Sequence, residues 1–522
     1  MLKCTINGKE VEVKEGTSII EAFRELNEDI AHYCWHPGLS VAGVCRLCMV
    51  EIEGNPRLQI ACNTPIQDGM VINNNSEMVK DAVKWGLDFH LINHPLDCPI
   101  CDQAGECGLQ DQYMKFGQYD SEMGKQKVKK QKVVDLGEKI VLDSERCILC
   151  SRCVRFTEEV SKTNELGIFN RGDHSEIGTY AGKPLNNDYA VNTVDICPVG
   201  ALTSKDFRFR QRVWFLKDKP SVCTGCSTGC NVDVYYNNEG MWRVKPRHSD
   251  VNGYWMCDQG REIYKATNVL STEFVGERGS QKAIKKQNRI TQAVNMSGGE
   301  SQYFNAGDLK NELSSSLNGV SKAALVVTGQ YTNEEYESLL SFWKSKFGAD
   351  SVYHWINHED KMDEFDGLLI RGDKNPNTKG LMAAFEKQGI QAKKDFSSFG
   401  EFDLVVVAGP ENQWVFDDIP SKAQLFAKSK KVVWMSACKV EAAEQAGGSF
   451  FFVPTKTFAE KSGTFVNYAG TEQKFASVDK WVEDALDLSQ TTAAFQGKDV
   501  ETVKIQREDI VNNEFVHERG TL

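Results

Sequence analysis

The placement of cysteine constrains the fold of this chain more than any other feature of its sequence. The chain has 17 Cys, of which 16 precede residue 260. All but one of those 16 fall, together with one His, into four sets whose spacings are typical of iron-sulfur ligand sets. The pattern predicts a series of one-electron centres. It leaves Cys4 over, and we expect that residue in a strand.

The first set combines a long loop, a CxxC pair and a distant fourth thiol. Its members are Cys34, Cys45, Cys48 and Cys62. This spacing predicts a 2Fe-2S cluster with a longer loop than the plant-type pattern CxxxxCxxC. Upstream, the Asn7-Gly8 turn predicts a β-hairpin, and the capping-box pattern from Ser18 to Glu21 predicts a helix. Hairpin and helix together indicate the opening of a ferredoxin β-grasp.

The next two sets follow at once. The second joins an imidazole to three thiolates in HPLDCPICDQAGEC, and its members are His94, Cys98, Cys101 and Cys107. The third has the CxxCxxC core of a bacterial ferredoxin, but Thr157 stands where the two-cluster pattern places its fourth Cys. A Cys-Pro pair far downstream closes it, so that its members are Cys147, Cys150, Cys153 and Cys197. We interpret the third set as one 4Fe-4S site.

The fourth set has the pattern CxxCxxxC and a remote Cys beyond a strand-rich stretch. Its members are Cys223, Cys226, Cys230 and Cys257. This spacing suits 4Fe-4S. Structural zinc accepts four thiolates, or three and a His, at similar spacings, so a zinc-stapled scaffold without redox activity is the alternative. Four sets in succession, two of them with ferredoxin spacing, favour iron-sulfur clusters over structural zinc.

The order of these sets resembles the large iron-sulfur subunit, known as the G subunit, of bacterial NADH:quinone oxidoreductase (respiratory complex I). The resemblance covers the first 260 residues, and the segment VPTKTFAEKSGTFVNYAGTEQKF near the C-terminus resembles the family's run of Glu, Gly-Thr-Phe, Asn and Gly. It implies one 2Fe-2S cluster on the first set and three 4Fe-4S clusters on the other sets. It also implies that electrons pass from the first set to the third and then to the second, with the fourth set off this route.

By this resemblance the chain is an electron-transfer subunit of a proton-translocating enzyme, with no catalytic residue of its own. It would take electrons from a flavin- and NADH-binding iron-sulfur subunit and pass them to downstream iron-sulfur and quinone-site subunits, with the membrane arm as an indirect partner. The sequence has neither a GxGxxG nor a GxxxxGK[ST] loop, so we expect no flavin or NADH site here. The alternative is an iron-sulfur subunit of a soluble NAD-linked hydrogenase or formate dehydrogenase.

The part after the fourth set resembles the corresponding part of molybdenum and tungsten oxidoreductases. In this chain, however, that part lacks the residues for their metal chemistry. Cys438 is the one thiol beyond Cys257. It stands further along the sequence than the metal ligand of that group, and we expect it to be a buried small side chain. About 260 residues remain, which is short for a full pterin-binding fold. We therefore expect a degenerate, noncatalytic α/β domain without molybdopterin.

Apolar runs predict buried parallel strands at residues 323–328, 402–408 and 431–435, with a further strand at 368–370. Helical spacing of apolar residues predicts helices at Asn333–Phe347 and at residues 378–387, which gives a βαβ-type sheet. Polar composition predicts linkers at residues 280–300 and in the basic run of residues 125–132, whose lysines we expect to be solvated.

The predicted fold class is therefore a multidomain α+β and α/β protein. We expect a 2Fe-2S ferredoxin-like domain (1–80), a His-ligated 4Fe-4S segment (81–125), a 4Fe-4S ferredoxin-like domain (133–215), a 4Fe-4S domain of molybdopterin-oxidoreductase type (216–275) and the noncatalytic α/β domain (276–522). The net charge of −12 argues against nucleic acid as a partner. With no leader or membrane-spanning run in the sequence, we expect a peripheral protein on the cytoplasmic side of the bacterial inner membrane.

Overall fold

The computed structural model describes residues 1–120, 123–124, 126–275, 282–297, 300–502 and 504–505. The chain divides into two compact units, residues 1–216 and residues 217–522. Within the described ranges, no helix combines the length and the apolar character needed to cross a bilayer.

The first unit is rich in short elements. Its strands are β1 (Leu2–Ile6), β2 (Lys9–Val13), β3 (Met49–Ile52), β4 (Gln59–Ile60), β5 (Met70–Asn73), β6 (Val134–Asp135), β7 (Ile140–Leu142), β8 (Leu166–Phe169), β9 (Glu176–Thr179) and β10 (Leu202–Ser204). Its helices are α1 (Ile19–Glu25), α2 (Glu77–Leu91), α3 (Gly108–Phe116), α4 (Arg152–Arg155) and α5 (Asn192–Asp195).

The N-terminal sheet has the β-grasp arrangement that the sequence predicts. Its strand order is β2-β1-β5-β3-β4, with β1 antiparallel to β2 and parallel to β5. Asn7 and Gly8 take left-handed conformations, at φ 49° and 81°, as a tight hairpin turn requires. Helix α1 begins after a capping box at Ser18 and buries Ile20 and Phe23 against the sheet. Cys4 is buried in β1, as expected.

The basic run is a connecting segment. Lys125 lies outside the described residues, and residues 126–132 form neither helix nor strand, as predicted. Lys127, Lys129 and Lys132 are exposed, as expected, although the ammonium of Lys132 also lies 2.5 Å from Asp97 and 2.6 Å from Glu145. Lys127 also donates to the carbonyl of Leu91 at 2.8 Å. Carboxylates from other segments thus pair with this basic run. Composition alone does not reveal these pairs.

The second unit holds the remaining elements. Its strands are β11 (Lys217–Val222), β12 (Asn231–Asn237), β13 (Gly240–Pro246), β14 (Leu270–Val275), β15 (Lys282–Gln287), β16 (Ala293–Ser297), β17 (Glu300–Phe304), β18 (Ala323–Val327), β19 (Val352–His354), β20 (Leu404–Ala408), β21 (Val432–Ser436), β22 (Ser449–Pro454), β23 (Gly463–Val466) and β24 (Glu472–Phe475). Its helices are α6 (Asp258–Thr267), α7 (Ala306–Ser315), α8 (Asn333–Phe347), α9 (Thr378–Gln388), α10 (Ile419–Phe426), α11 (Glu441–Gln445) and α12 (Leu488–Phe495).

A seven-stranded sheet of order β17-β16-β22-β21-β20-β18-β19 organises the second unit. The five strands from β18 to β22 are parallel, and β16 and β17 add an antiparallel edge. Alternate residues of β18 face opposite layers, since Leu325 packs with α8 and α9 while Val326 packs with α10. The predicted parallel strands, both predicted helices and the βαβ class are therefore confirmed.

Two local predictions in this unit are wrong. Within residues 280–300, the described parts include all of β15, all of β16 and the start of β17 rather than a linker, because polar side chains alternate along strands at a sheet edge. Residues 368–370 form a bend instead of a strand. Asp366 Oδ1 accepts hydrogen bonds from the N–H groups of Leu368, Leu369 and Ile370, which a strand would give to a neighbour.

Candidate metal centres

The first set lies in the loops around β3. Cys34 and Cys45 belong to the loop between α1 and β3, Cys48 directly precedes β3, and Cys62 follows β4; all four are buried. Hydrogen bonds from the thiols of Cys45 and Cys62 lower the pKa of Cys34. Likewise, a bond from the Cys62 thiol lowers the pKa of Cys48. The structure thus brings together all four predicted residues, and iron ligation requires the deprotonated form.

The second set lies between α2 and α3. Cys98 begins a 3₁₀ turn, Cys101 follows it, and Cys107 precedes α3. Burial raises the pKa of Cys107, and the charges of Cys101 and Cys98 raise it further, so the three thiols are near one another. Burial, followed by the charges of Arg146 and Lys127, lowers the pKa of His94 to about 4.

The imidazole of His94 is suited to a ligand bond. It is neutral at pH 7, and its Nδ1 is buried without a hydrogen-bond partner among the described atoms. The ring also makes a backbone hydrogen bond with Arg146. Metal-binding imidazoles commonly use one nitrogen for such an anchoring bond and the other for the metal. The neighbours recorded for His94 are Arg146, Lys127 and Asp97, and no contact with the three thiols is recorded among the described residues. Its unpartnered buried nitrogen fits a metal ligand.

The third set is closed by a long return of the chain. Cys147 and Cys150 lie in the loop between β7 and α4, Cys153 lies in α4, and Cys197 follows α5. Burial raises the pKa of Cys147 to about 12, and the charges of Cys150 and Cys197 contribute in the same direction. The distant Cys197 is therefore brought to the CxxCxxC loop. Leu149, at φ 55°, takes the left-handed conformation that wraps this loop.

The fourth set lies in the second unit. Cys223, Cys226 and Cys230 lie in the connection between β11 and β12, and Cys257 caps the N-terminus of α6. The four thiols line one cavity. Burial, followed by the charge of Cys226, raises the pKa of Cys257 to about 12, whereas the Gly260 N–H and the Lys374 ammonium lower it.

Glycine is required at the close approach of α6 to this fourth set. A Cβ at Gly260 would lie 2.9 Å from Cys223 Sγ, so a side chain there would crowd the thiol. The Gly260 N–H instead donates to Cys257 Sγ at 3.3 Å. Helix α6 therefore contributes both a ligand candidate and a backbone donor to the set.

The Gly-Thr-Phe segment forms the hairpin β23–β24, which holds the loop of the fourth set. Gln473 Nε2 donates to the carbonyl of Gly229 at 2.7 Å, and Asn467 Nδ2 donates to that of Thr228 at 3.4 Å. The Tyr468 N–H donates to the carbonyl of Ser227 at 2.8 Å. The sequence identifies this segment by resemblance but does not show what it contacts.

The donor chemistry of the sets is that of soft thiolates, joined in the second set by an imidazole. Over the described residues, no group of three or more His, Cys, Asp or Glu side chains has a geometry that could hold one metal ion. Thiolates bind both iron-sulfur clusters and zinc, so the donor set fits either group.

Two arginines connect the first and third sets. Arg155 Nη2 donates to the carbonyl of Cys34 at 2.5 Å and to that of Cys150 at 3.4 Å, and Arg155 Nη1 donates to the carbonyl of Ser40. Arg152 Nη2 donates to the carbonyl of Trp35 at 2.5 Å. The sequence analysis assigned these arginines no role. Their position beside the CxxCxxC cysteines is the signal that could have identified them.

The loop after Cys197 contacts the second set as well. The Gly108 N–H, next to Cys107, donates to the carbonyl of Pro198 at 2.8 Å. A Cβ at Gly200 would lie 2.3 Å from Cys101 Sγ, so glycine is needed for this approach. The third set is thus in contact with the surroundings of both the first and the second sets.

A phenol lies between the first and second sets. Burial raises the pKa of Tyr33, and the charges of Cys107 and then Cys45 raise it further. The first and second sets are therefore also neighbours of a common side chain, and the Tyr33 N–H lies 3.4 Å from Cys45 Sγ.

Charged residues occupy the carboxyl edge of the parallel sheet. Lys461 Nζ lies 3.0 Å from Glu335 and 3.4 Å from Glu411, and all three residues are buried. Buried Arg289 pairs with Glu460 at 2.7 Å. Burial raises the pKa of Glu411 to about 7. In α/β folds this edge is where ligands usually bind, and here the chain fills part of it with its own ion pairs.

Cys438 is a buried thiol, as predicted. It is 6% exposed and follows β21, where its Sγ donates to the carbonyl of Ala266 at 3.1 Å. Burial raises its pKa to about 12, so it is a neutral thiol at physiological pH.

Four family models match the chain in succession. They are described as a 2Fe-2S iron-sulfur cluster binding domain (residues 1–77), the NADH-ubiquinone oxidoreductase-G iron-sulfur binding region (86–122), the ferredoxin-like domain of NADH-quinone oxidoreductase subunit 3 (137–203) and the molybdopterin oxidoreductase Fe4S4 domain (216–268). Each of the four thiol sets lies within one matched region.

Similar proteins carry related names. The G subunit of NADH-quinone oxidoreductase from Rickettsia bellii is 37% identical over 294 residues, which are 56% of this chain and 42% of that protein. The mitochondrial NADH dehydrogenase [ubiquinone] iron-sulfur protein 1 of Solanum tuberosum is 41% identical over 267 residues, 51% of this chain and 36% of that protein. The chain thus spans less than half the length of these relatives.

Among solved structures, an NAD+-reducing [NiFe]-hydrogenase chain matches at 30% identity and a TM-score of 0.37, covering 41% of this chain and 91% of that chain. A superposition this poor carries no argument about function. The family models and the curated relatives agree with one another, and the resemblance that the thiol spacing indicates is confirmed. Over about half of its length the chain is similar to the G subunit of NADH-quinone oxidoreductase, and it contains regions that match models of 2Fe-2S and 4Fe-4S domains.

Proposed function

We propose that this chain is an electron-transfer subunit of an NADH:quinone oxidoreductase, which relays electrons from a flavin-bearing subunit toward quinone. The observation that carries the proposal is the position of the third set. Through Arg155 it shares a hydrogen-bonded side chain with the first set, and through Pro198 and Gly200 it touches the second set. Centres that lie next to one another are what stepwise electron transfer needs, since tunnelling falls steeply with distance.

The ligands would be those of the four thiol sets. A 2Fe-2S cluster would be bound by Cys34, Cys45, Cys48 and Cys62, and 4Fe-4S clusters by His94, Cys98, Cys101 and Cys107, by Cys147, Cys150, Cys153 and Cys197, and by Cys223, Cys226, Cys230 and Cys257. When bound, such clusters gain and lose single electrons. The side chains of this chain fix the spacing and exclude water, and the arginines supply positive charge near the first and third sets.

We assign these sites to the domains expected from the sequence, with boundaries at residues 1–80, 81–125, 133–215, 216–275 and 276–522. The α/β domain would be noncatalytic and without molybdopterin or flavin. The buried pairs of Lys461 and Arg289 at the carboxyl edge of its sheet support this assignment, because they occupy space that a ligand would use.

The partners would be a flavin- and NADH-binding iron-sulfur subunit upstream and iron-sulfur and quinone-site subunits downstream. The membrane arm would be reached through them, which would hold this chain peripherally at the cytoplasmic side of the bacterial inner membrane. The similarity to relatives named as subunits of NADH-quinone oxidoreductase supports such an assembly.

Metal and sulfide analysis of the anaerobically purified chain tests the proposal. We expect iron and acid-labile sulfide in amounts matching one 2Fe-2S and three 4Fe-4S clusters, together with several distinct EPR signals after dithionite reduction. Zinc at filled sites, with no labile sulfide, would instead show the zinc-stapled scaffold.

Purification of the complex from its native membrane distinguishes the proposed assembly from the hydrogenase or formate dehydrogenase alternative. Co-purification with a flavoprotein and quinone-site subunits is the expected result. A nickel-iron or formate-oxidising partner in the same particle would contradict the proposed assembly and favour the hydrogenase or formate dehydrogenase alternative.

A further inference from the structure

The α/β part of the second unit supplies one wall of the cavity at the fourth thiol set. Besides the four thiols, this cavity is lined by Leu369, Ile370 and Lys374, which lie between β19 and α9. Lys374 Nζ lies 3.4 Å from Gln259 Oε1, two residues after Cys257. Among the described lining residues, Lys374 is the one with a formal positive charge.

Hydrogen bonds fix this wall to the loop that carries the thiols. The Ser227 N–H donates to the carbonyl of Asp373 at 2.8 Å. The Thr228 hydroxyl donates to the carbonyl of Leu369 at 2.5 Å. Both donors lie between Cys226 and Cys230, so the backbone next to Lys374 is held in register with two of the four thiols. The ammonium therefore stays near the cavity.

We infer that Lys374 is the charge partner of the fourth cluster and raises its reduction potential. This inference rests on the proposed binding of a 4Fe-4S cluster by the fourth set. Four thiolates make that site strongly anionic, and reduction by one electron adds a further negative charge. A nearby cation stabilises the reduced form more than the oxidised form, because the Coulomb energy grows with the charge it faces.

Backbone donors act in the same direction but come from the thiol-bearing segments themselves. The Gly225 N–H lies 3.4 Å from Cys223 Sγ, and the Gly260 N–H lies 3.3 Å from Cys257 Sγ. Lys374 differs because the α/β domain contributes it. A domain without catalytic residues of its own would thus set the reduction potential of this centre.

The experiment is an EPR-monitored redox titration of the full-length, anaerobically purified protein. The signal of the fourth cluster is identified as the one lost in Cys226→Ser, with Cys257→Ser as a second variant. In Lys374→Gln we expect the midpoint potential of this signal to shift to a more negative value, with unchanged iron content and unchanged signals of the other clusters. Lys374→Arg should restore most of the wild-type potential.

Lys379→Gln is the matched control, because it removes the same charge from an exposed residue of α9 that does not line this cavity. An unchanged midpoint potential in Lys374→Gln would overturn the inference and leave the cluster assignment intact. If Cys226→Ser and Cys257→Ser lose neither iron nor an EPR signal, the fourth set does not bind a cluster, and both the assignment and the inference fail.

Discussion

Arg155 shows how a single side chain contacts two candidate metal centres. It is 8% exposed, and its guanidinium donates to the carbonyls of Cys34, Ser40 and Cys150. A planar guanidinium carries five donors in a fixed fork, two more than an ammonium, so one side chain can satisfy several carbonyls. In the proposed assignment the same charge lies beside two anionic clusters, where it would favour their reduced forms.

We expect Arg155→Met to lower the reduction potentials of the clusters at the first and third sets. It should also reduce the stability of the first unit by about 1–3 kcal/mol for each buried carbonyl left unpaired. Redox-titrated EPR and denaturant unfolding measure the two effects. Arg57→Met is the control, since Arg57 is exposed in the β-grasp. Unchanged potentials at both sets would show that Arg155 has no electrostatic role.

His354 gives the second unit a dependence on pH. It is 1% exposed, neither ring nitrogen has a hydrogen-bond partner within the described structure, and burial lowers its pKa to about 4. The unfolded side chain has a pKa near 6.5. Between these values the unfolded chain binds a proton that the folded chain does not, so the free energy of unfolding falls as the pH falls.

We expect the second unit to lose about 2 kcal/mol of stability through His354 between about pH 7 and about pH 5. His354→Phe should remove this part of the pH dependence. Urea unfolding followed by tryptophan fluorescence measures it, because Trp343, Trp355 and Trp434 are buried in this unit. The control is His174→Phe at an exposed position. The same pH dependence in wild type and His354→Phe would exclude His354 as its source.

At the scale of elements, the hairpin β23–β24 explains why a segment without metal ligands resembles a family motif. Strand β24 alternates between exposed and buried residues, and its buried Gln473 reaches Gly229 in the loop of the fourth set. Sequence periodicity places Gln473 on one face of a strand. The identity of its partner, 244 residues away, depends on the tertiary structure.

We expect Gln473→Ala to lower the occupancy of the fourth cluster selectively, because the loop between Cys226 and Cys230 loses an anchor. The unpaired Gly229 carbonyl should cost about 1–3 kcal/mol. Iron analysis and EPR measure the loss. Lys474→Ala, at the exposed neighbouring position, should retain full occupancy. Equal occupancy in the two variants would contradict the anchoring role.

Elements with a strong local signal were predictable. The hairpin at Asn7-Gly8, the capping box at Ser18 and helix α8 follow from short-range turn chemistry, capping and apolar spacing. The bend at residues 368–370 was not predictable, because the three N–H groups there bond to the side chain of Asp366. The strands within residues 280–300 were also not predictable, because polar side chains do not distinguish an edge strand from a linker.

At the scale of the whole molecule, the third set stands in contact with both of its neighbours, and its loss should interrupt the route. We expect Cys150→Ser in the assembled complex to abolish most electron flow from NADH to quinone. Oxidation of NADH by an artificial acceptor near the flavin should persist, because that reaction would not pass through this chain. Kinetic assays with the two acceptors measure the difference. Wild-type quinone reduction in an assembled variant lacking this cluster would contradict the route.

The sequence by itself determined which residues are candidates for iron binding, because thiol spacing is a local property of the chain. It also determined the β-grasp opening and the parallel strands of the α/β domain. Only the tertiary structure decided what lies between the sets: Arg155 between Cys34 and Cys150, and the wall at Lys374 beside the fourth set. The contact of Arg155 with Cys34 and that of the Lys374 wall with the fourth set join residues more than a hundred positions apart, and no local pattern encodes such pairings.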